Sequence, residues 1–226
     1  ARPPLFNGAL PVTPSILAAL LLQAAPTGSP VQDTRDPHRN PAGYTLVFAD
    51  EFDGSGLPDP ARWDFATENN ATGWGNQEKQ HYTARRMENA RLEGGRLIIE
   101  ARAETLPEAG GKAYTSARLV TRGRAAWTYG FIEVKAKLPC GRGTWPAIWM
   151  LPEDPAAKWP KGGEIDIMEH VGFEPGKVHH SVHTGAFNFA SGTQKTAGFA
   201  VPSACTAFHR YQLMWTPDFL VMGVDD

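Results

Sequence analysis

The sequence has few of the features that mark several common functional classes. Only two cysteines, Cys140 and Cys205, occur among 226 residues, and their spacing matches no metal-binding motif. They predict either one disulfide or two buried thiols. The chain has no long run of lysine and arginine, and its formal net charge is −2. We therefore expect neither nucleic acid nor an anionic membrane surface as a partner.

A long hydrophobic run is also missing. The most apolar stretch, residues 16–22, is far shorter than the roughly 20 residues that span a bilayer. Small residues follow it, as they follow the apolar core of an export signal. Only Arg2 supplies positive charge ahead of it, so an unstructured leader is the alternative. Residues 27–43 are rich in Pro, Asp, Gly and Thr, so we expect residues 1–43 to form a leader and a linker.

Helical periodicity is absent beyond residue 43, and strand patterns replace it. Residues 132–138 alternate apolar and charged side chains, which is typical of a half-buried strand. Residues 88–92 and 97–101 flank Gly94-Gly95, which predicts a hairpin. Further strands are predicted at residues 114–121, 145–151, 164–171, 178–184 and 211–215. Many short strands, with 23 glycines and 19 prolines, predict one all-β domain over residues 44–226, a sandwich of antiparallel sheets.

The most informative segment is residues 162–169, which contains Glu164, Asp166 and Glu169. Clustered carboxylates repel and raise each other's pKa, so they are costly to bring together unless they have a function. The large apolar residues between them argue against a solvated acidic face. Four strand residues span about 13 Å. Two glutamates that lean together would then leave about 5 Å between their carboxyls, as in retaining glycosidases.

A regular strand through this segment would misplace one of the acids. Met168 would share a face with Glu164 and Asp166, and Glu169 would point into the core with Ile167. Burying a charged carboxylate in that way costs several kcal/mol. A β-bulge at residues 167–168 shifts the alternation by one and returns Glu169 to the face of the other acids. We therefore predict a bulge, with Met168 directed away from the three carboxylates.

This segment resembles the signature of glycoside hydrolase family 16 in its laminarinase-like form. Other blocks resemble the family in the family's order, at residues 73–78, 114–119, 129–131, 143–150 and 182–185. The resemblance covers roughly residues 44–226 and implies a jelly-roll β-sandwich with a concave substrate cleft. It implies an endo-acting, retaining β-1,3-glucanase, with Glu164 as nucleophile and Glu169 as acid/base. Asp166 between them would hold the nucleophile and adjust the proton affinity of its neighbours.

The resemblance also carries expectations about completeness and cofactors. The family's sheet normally continues past Asp226, so we expect the catalytic domain to be incomplete at its C-terminus. Some members hold a structural calcium ion through residues near both termini. We expect calcium, if any, only in the full-length protein, and the reaction itself requires no cofactor.

Further residues are predicted to bind the sugar chain: Asn76, Arg118, Trp145, Trp149, Trp159 and His183. Tryptophan faces suit sugar rings because they offer flat, weakly polar contact area. Each prediction has an alternative. The tryptophans could be core aromatics, the asparagine a turn residue, the arginine an outward-pointing side chain and the histidine a surface residue.

Other functions compete with this interpretation. A zinc site built from His179, His180 and His183 is disfavoured because the outer two lie about 13 Å apart on a strand, so we expect no metal centre. A non-catalytic β-glucan-binding module is disfavoured because binding does not require three carboxylates. Mixed-linkage glucan, agarose and carrageenan are alternative substrates. We expect a secreted, extracellular monomer that acts on β-glucan.

Overall fold

The computed structural model describes residues 41–225, and their regular structure is almost entirely β. The strands are β1 (Asp64–Phe65), β2 (Gln80–Tyr82), β3 (Ala90–Leu92), β4 (Leu97–Ile99), β5 (Arg102–Ala103), β6 (Tyr114–Ser116), β7 (Leu119–Val120), β8 (Gly130–Ala136), β9 (Ala147–Met150), β10 (Glu164–Glu169), β11 (Lys177–His183), β12 (Lys195–Ala200), β13 (His209–Trp215) and β14 (Leu220–Val224). Short 3-10 turns lie at Asn70–Gly75, Pro107–Ala109 and Phe189–Ser191.

The amino-terminal predictions lie mostly outside the described residues. The leader and export signal expected in residues 1–43, and nearly all of the linker, fall in the first 40 residues. Residues 41–225 contain no helix with the length and apolar character needed to cross a membrane.

Two antiparallel sheets form the centre of the domain. One has the strand order β12-β11-β10-β9 and the other β14-β13-β8. Their inner faces share one core, in which Ile167 and Met168 of β10 pack with Val178 of β11 and with Tyr211 and Leu213 of β13. The predicted sandwich is therefore confirmed. The core lies directly beneath β10, so it supports the acidic segment from below.

Smaller sheets flank these two. They pair β1 with β7, β3 with β4, and β2 and β5 with β6. The predicted hairpin is confirmed as β3–β4, where Gly94 and Gly95 have φ of 61° and 69°. Those values belong to a type I′ turn, which favours glycine. The β2–β6 pair runs parallel, which the prediction of antiparallel sheets did not include.

The segment predicted as one strand at residues 114–121 is two strands. β6 pairs with β2 and β5, whereas β7 pairs with β1. The chain changes partners at Ala117 and Arg118, and no single ladder runs through all eight residues. The strand β12 was not predicted because all six of its residues are exposed. It lies at a sheet edge and lacks a buried face that would produce an alternating pattern.

Cys140 and Cys205 form a disulfide, with their Cα atoms 5.7 Å apart. Cys140 follows β8 and Cys205 precedes β13, and these two strands pair in the second sheet. The amide of Leu138 donates to the carbonyl of Ala204 at 2.9 Å, which holds the two loops side by side. Of the two interpretations open at the sequence level, the structure has the disulfide.

Candidate active site

The predicted bulge is present in β10. On one side, Asp166 pairs with Trp149 and Met168 pairs with Ile148, so Ile167 is an extra residue. On the other side, the ladder to β11 shifts between Asp166 and Glu169. Met168 is buried in the core. The shift returns Glu169 to the face of the other two acids, as the sequence argument required.

Glu164 begins β10 and receives a hydrogen bond from an exposed tryptophan. The indole N–H of Trp159 donates to Oε2 of Glu164 at 2.5 Å. Trp159 lies in the loop before β10, which is closely packed at Gly162. A Cβ at Gly162 would lie 2.4 Å from the carbonyl oxygen of Ala157, so only glycine fits there. This packing fixes the loop that brings Trp159 to the carboxylate.

Glu169 ends β10 and is held from both sides. The indole N–H of Trp145 donates to Oε1 of Glu169 at 3.0 Å, and the hydroxyl of Ser181 donates to Oε2 at 3.2 Å. Trp145 is 51% exposed and Trp159 is 44% exposed. Each tryptophan thus orients one carboxylate with its N–H and leaves its ring open to a ligand.

Asp166 lies between the two glutamates and is only 3% exposed. Burial, followed by the charges of Glu164 and Glu169, raises the pKa of Asp166 to about 9. A hydrogen bond to Glu164 also raises this pKa, since only the protonated carboxyl can donate it. Asp166 is therefore neutral at pH 7 and donates a hydrogen bond to Glu164.

His183 faces Asp166 in a defined tautomer. The backbone N–H of Phe189 donates to Nδ1 of His183 at 3.2 Å, so Nδ1 is unprotonated. In the neutral ring the proton is then on Nε2, which lies 3.3 Å from Oδ2 of Asp166. The histidine predicted near the acid/base is thus in contact with the middle acid of the cluster.

Trp149 and Arg118 form a stack beside the acids. Trp149 pairs with Asp166 across the β9–β10 ladder, so both side chains point to the same face. The guanidinium of Arg118 lies 4.5 Å from the ring centroid of Trp149 and 4.1 Å from that of Trp74. Burial lowers the pKa of Arg118. The stack builds a rigid aromatic and cationic wall next to the carboxylates.

Asn76, another predicted sugar-binding residue, contacts neighbours in its own loop. It is exposed, its backbone N–H donates to the carbonyl of Gly73, and its amide donates to Glu78 at 3.3 Å. It thus has the geometry of a turn residue and is not joined to the three acids by any of these contacts. A role in sugar binding stays a prediction.

Two residues of the site were missing from the sequence-based set. Ser181 lies two positions before His183 on β11, and this spacing alone could have placed it on the same face. Trp74 lies in a loop where Gly73 and Trp74 both have positive φ. No periodic pattern reports such a loop, so its place over Arg118 was not accessible from the sequence.

The described residues contain one cluster with metal-ligand chemistry away from the acids. Ligand atoms of Cys140, His170 and Cys205 all lie within 4.8 Å of one another. The two sulfurs are bonded to each other, so they are not available as thiolate ligands. The histidines considered for zinc are separated by their partners, since His179 contacts Glu174 and His183 contacts Asp166.

The chain is similar to known proteins over most of its length. Residues 68–226 match the family described as Glycosyl hydrolases family 16. The beta-glucanase of Rhodothermus marinus is 53% identical over 215 residues, which cover 94% of this chain and 71% of that protein. The solved structure of the laminarinase from Rhodothermus marinus has 57% identity and a TM-score of 0.76, covering 80% of this chain and 71% of that chain.

A second solved structure is similar over the same fold. SCLam, described as a non-specific endo-beta-1,3(4)-glucanase from family GH16, has 46% identity and a TM-score of 0.78. The match covers 84% of this chain and 72% of that chain. With an antiparallel jelly-roll sandwich, three clustered carboxylates and a family match over most of its length, this chain belongs to glycoside hydrolase family 16.

Proposed function

We propose that this protein is an endo-acting, retaining β-1,3-glucanase that hydrolyses laminarin-type glucans by double displacement. The observation that carries the proposal is the bulge in β10, which brings Glu164, Asp166 and Glu169 to one face of the sheet. Exposed faces of Trp145 and Trp159 border the same acids. A pure binding module would have no use for this arrangement of carboxylates.

In the first step, Glu164 attacks the anomeric carbon and forms a covalent glycosyl ester. Glu169 gives its proton to the glycosidic oxygen as the bond to the leaving sugar breaks. The N–H of Trp159 holds Oε2 of Glu164, which leaves Oε1 to attack. The contacts from Trp145 and Ser181 restrict Glu169 to one orientation.

In the second step, Glu169 takes a proton from water and the resulting hydroxide displaces Glu164 from the anomeric carbon. Two inversions give net retention of configuration. In the first step Glu164 loses its negative charge and Glu169 gains one, and the second step reverses both changes. The two glutamates therefore complete the cycle without an added cofactor or metal ion.

The proton on Asp166 reduces the negative charge of the acidic cluster. Three ionised carboxylates on one face would repel one another strongly. Neutral Asp166 removes one charge and donates a hydrogen bond to Glu164. When Glu164 is esterified and loses its charge, one cause of the high pKa of Asp166 is removed, whereas burial and the charge of Glu169 remain. The three acids therefore titrate as a coupled set during turnover.

The β-1,3 linkage is supported by two relatives, one described as a laminarinase and one as a glucan endo-1,3-beta-glucosidase. A mixed-linkage glucan is the second candidate substrate. It is favoured by the description of SCLam as a non-specific endo-beta-1,3(4)-glucanase. Both substrates require the same acids and the same retaining chemistry, so they differ only in how the cleft receives the neighbouring sugars.

The test is a product profile of the purified protein on laminarin, lichenan, agarose and carrageenan. We expect laminarin to be cut internally, and proton NMR to show the β-anomer as the first product. Glu164→Gln should abolish turnover without unfolding the protein. Glu174→Gln, the same change at an exposed carboxyl outside the triad, is the matched control and should keep its activity. Cleavage of agarose or carrageenan with laminarin untouched would refute the assignment.

We also propose that the protein is exported. The disulfide Cys140–Cys205 supports this proposal, because disulfides persist in oxidising environments such as the outside of the cell. Fractionation of a culture, with the activity in the medium, tests this proposal. The monomeric state and the structural calcium stay predictions.

A further inference from the structure

His180 lies opposite the bulge that orients the acids. Between the pairs Asp166–Ser181 and Glu169–His179, the two residues Ile167 and Met168 face the single residue His180. Such a mismatch interrupts the regular ladder at this point. The imidazole Nδ1 of His180 lies 2.5 Å from the carbonyl oxygen of Ile167, the extra residue in β10.

The state of this histidine follows from its contacts. A carbonyl only accepts hydrogen bonds, so Nδ1 of His180 carries the proton and donates it. The ring is 5% exposed and lies edge-on to Phe199, with centroids 4.9 Å apart. Burial lowers the pKa of His180, which keeps the ring neutral with a single proton on Nδ1. The ring is thus a fixed donor aimed at the bulge.

We propose that His180 is a positioning residue that fixes the bulge in β10 and thereby aims Glu169 at the substrate. This inference rests on the proposed function of Glu169. A side chain on the core face of the sheet then controls the orientation of an acid on the opposite face, through the backbone between them. None of the contacts of His180 described above reaches the substrate side.

The physical consequence of losing this donor is local. The Ile167 carbonyl would be left buried without its partner, which is unfavourable because a buried acceptor has lost its contact with water. The strand can reduce that cost by rotating the peptide of the bulge, and the residues that follow it move as well. Glu169 lies two positions further on, so its carboxyl shifts relative to the glycosidic oxygen. A displacement of about 1 Å is enough to lower a rate about 100-fold.

The test compares substrates that differ in their need for an acid. Laminarin has a poor leaving group and needs Glu169 to protonate it. 2,4-Dinitrophenyl β-laminaribioside has a good leaving group and needs no proton in the first step. We therefore measure kcat/KM, which reports that first step, for both substrates in each variant.

His180→Phe keeps an aromatic ring but removes the N–H donor. His180→Asn places an amide N–H near the position of Nδ1. Val178→Ala, at a fully buried core position of the same strand, is the control for loss of stability alone. We expect His180→Phe to lose about 100-fold in kcat/KM on laminarin and less than about threefold on the dinitrophenyl substrate. His180→Asn should recover most of the loss, and Val178→Ala should leave the ratio of the two values unchanged.

Equal losses on both substrates, or no loss in His180→Phe, would overturn the inference while leaving the proposed function in place. A wild-type protein that cleaves neither substrate would instead overturn the proposed function. The exchange rates of the β10 backbone amides report the stability of the bulge independently of activity. Residues 164–169 should exchange faster in His180→Phe than in Val178→Ala, and the same rates in both variants would count against a special role for His180.

Discussion

Asp166→Asn is expected to stabilise the protein at neutral pH while it lowers the activity. The side chain of Asp166 is buried between two glutamates, and its pKa rises from 3.8 to about 9 on folding. Because the folded pKa is the higher one, the stability contributed by the bound proton is fully present below about pH 4. It is lost progressively as the pH rises toward 9. Asparagine mimics the protonated acid and has no such loss.

The size of the effect follows from the shift in pKa. Each pH unit above the unfolded pKa removes up to about 1.4 kcal/mol from the wild-type protein. At pH 7, about three units above that value, Asp166→Asn should therefore be more stable than the wild type by about 4 kcal/mol. Activity should fall at the same time, because an amide cannot exchange a proton with Glu164 or Glu169 as the coupled carboxyl does.

The assay is urea unfolding followed by tryptophan fluorescence at several values between pH 4 and pH 8. The difference in free energy of unfolding between Asp166→Asn and wild type should be smallest at pH 4 and grow with pH. Glu174→Gln is the control, since hydrogen bonding to Lys177 lowers the pKa of this exposed carboxyl. Its difference should be small and of opposite sign. A difference for Asp166→Asn that does not change with pH would refute the reasoning.

Three further changes have defined outcomes. Trp159→Phe keeps an aromatic ring but removes the indole N–H that holds Glu164. The value of kcat should therefore fall about tenfold with KM little changed, and a change in KM alone would contradict this. Arg118→Lys loses the planar group stacked between two indole rings, so KM for laminarin should rise with kcat retained. Unchanged steady-state kinetics would argue against a role for this stack in substrate binding. Replacing Cys140 and Cys205 by serine opens a loop of 65 residues and should lower the free energy of unfolding by about 4 kcal/mol, as urea melts would measure; an unchanged midpoint would disprove it.

The sequence by itself determined the strand that carries the acids and the irregularity within it. Alternation has a period of two, so Glu164 and Glu169 cannot share a face of a regular strand. A charged carboxylate in the core is too costly, so the sequence itself excludes a regular strand at this point. The hairpin at Gly94-Gly95 is local in the same sense, because two adjacent glycines specify its turn.

Tertiary structure decided what surrounds the acids. Ser181 reaches Glu169 from a neighbouring strand, and the stack on Arg118 joins loops and strands that are far apart in the sequence. Such contacts depend on the register between strands, which a pattern within one strand does not contain. The high pKa of Asp166 likewise needs burial together with both neighbouring charges. Residue types and their spacing identify the reacting groups, but only the packed sheets set the distances and the dielectric environment that determine their protonation.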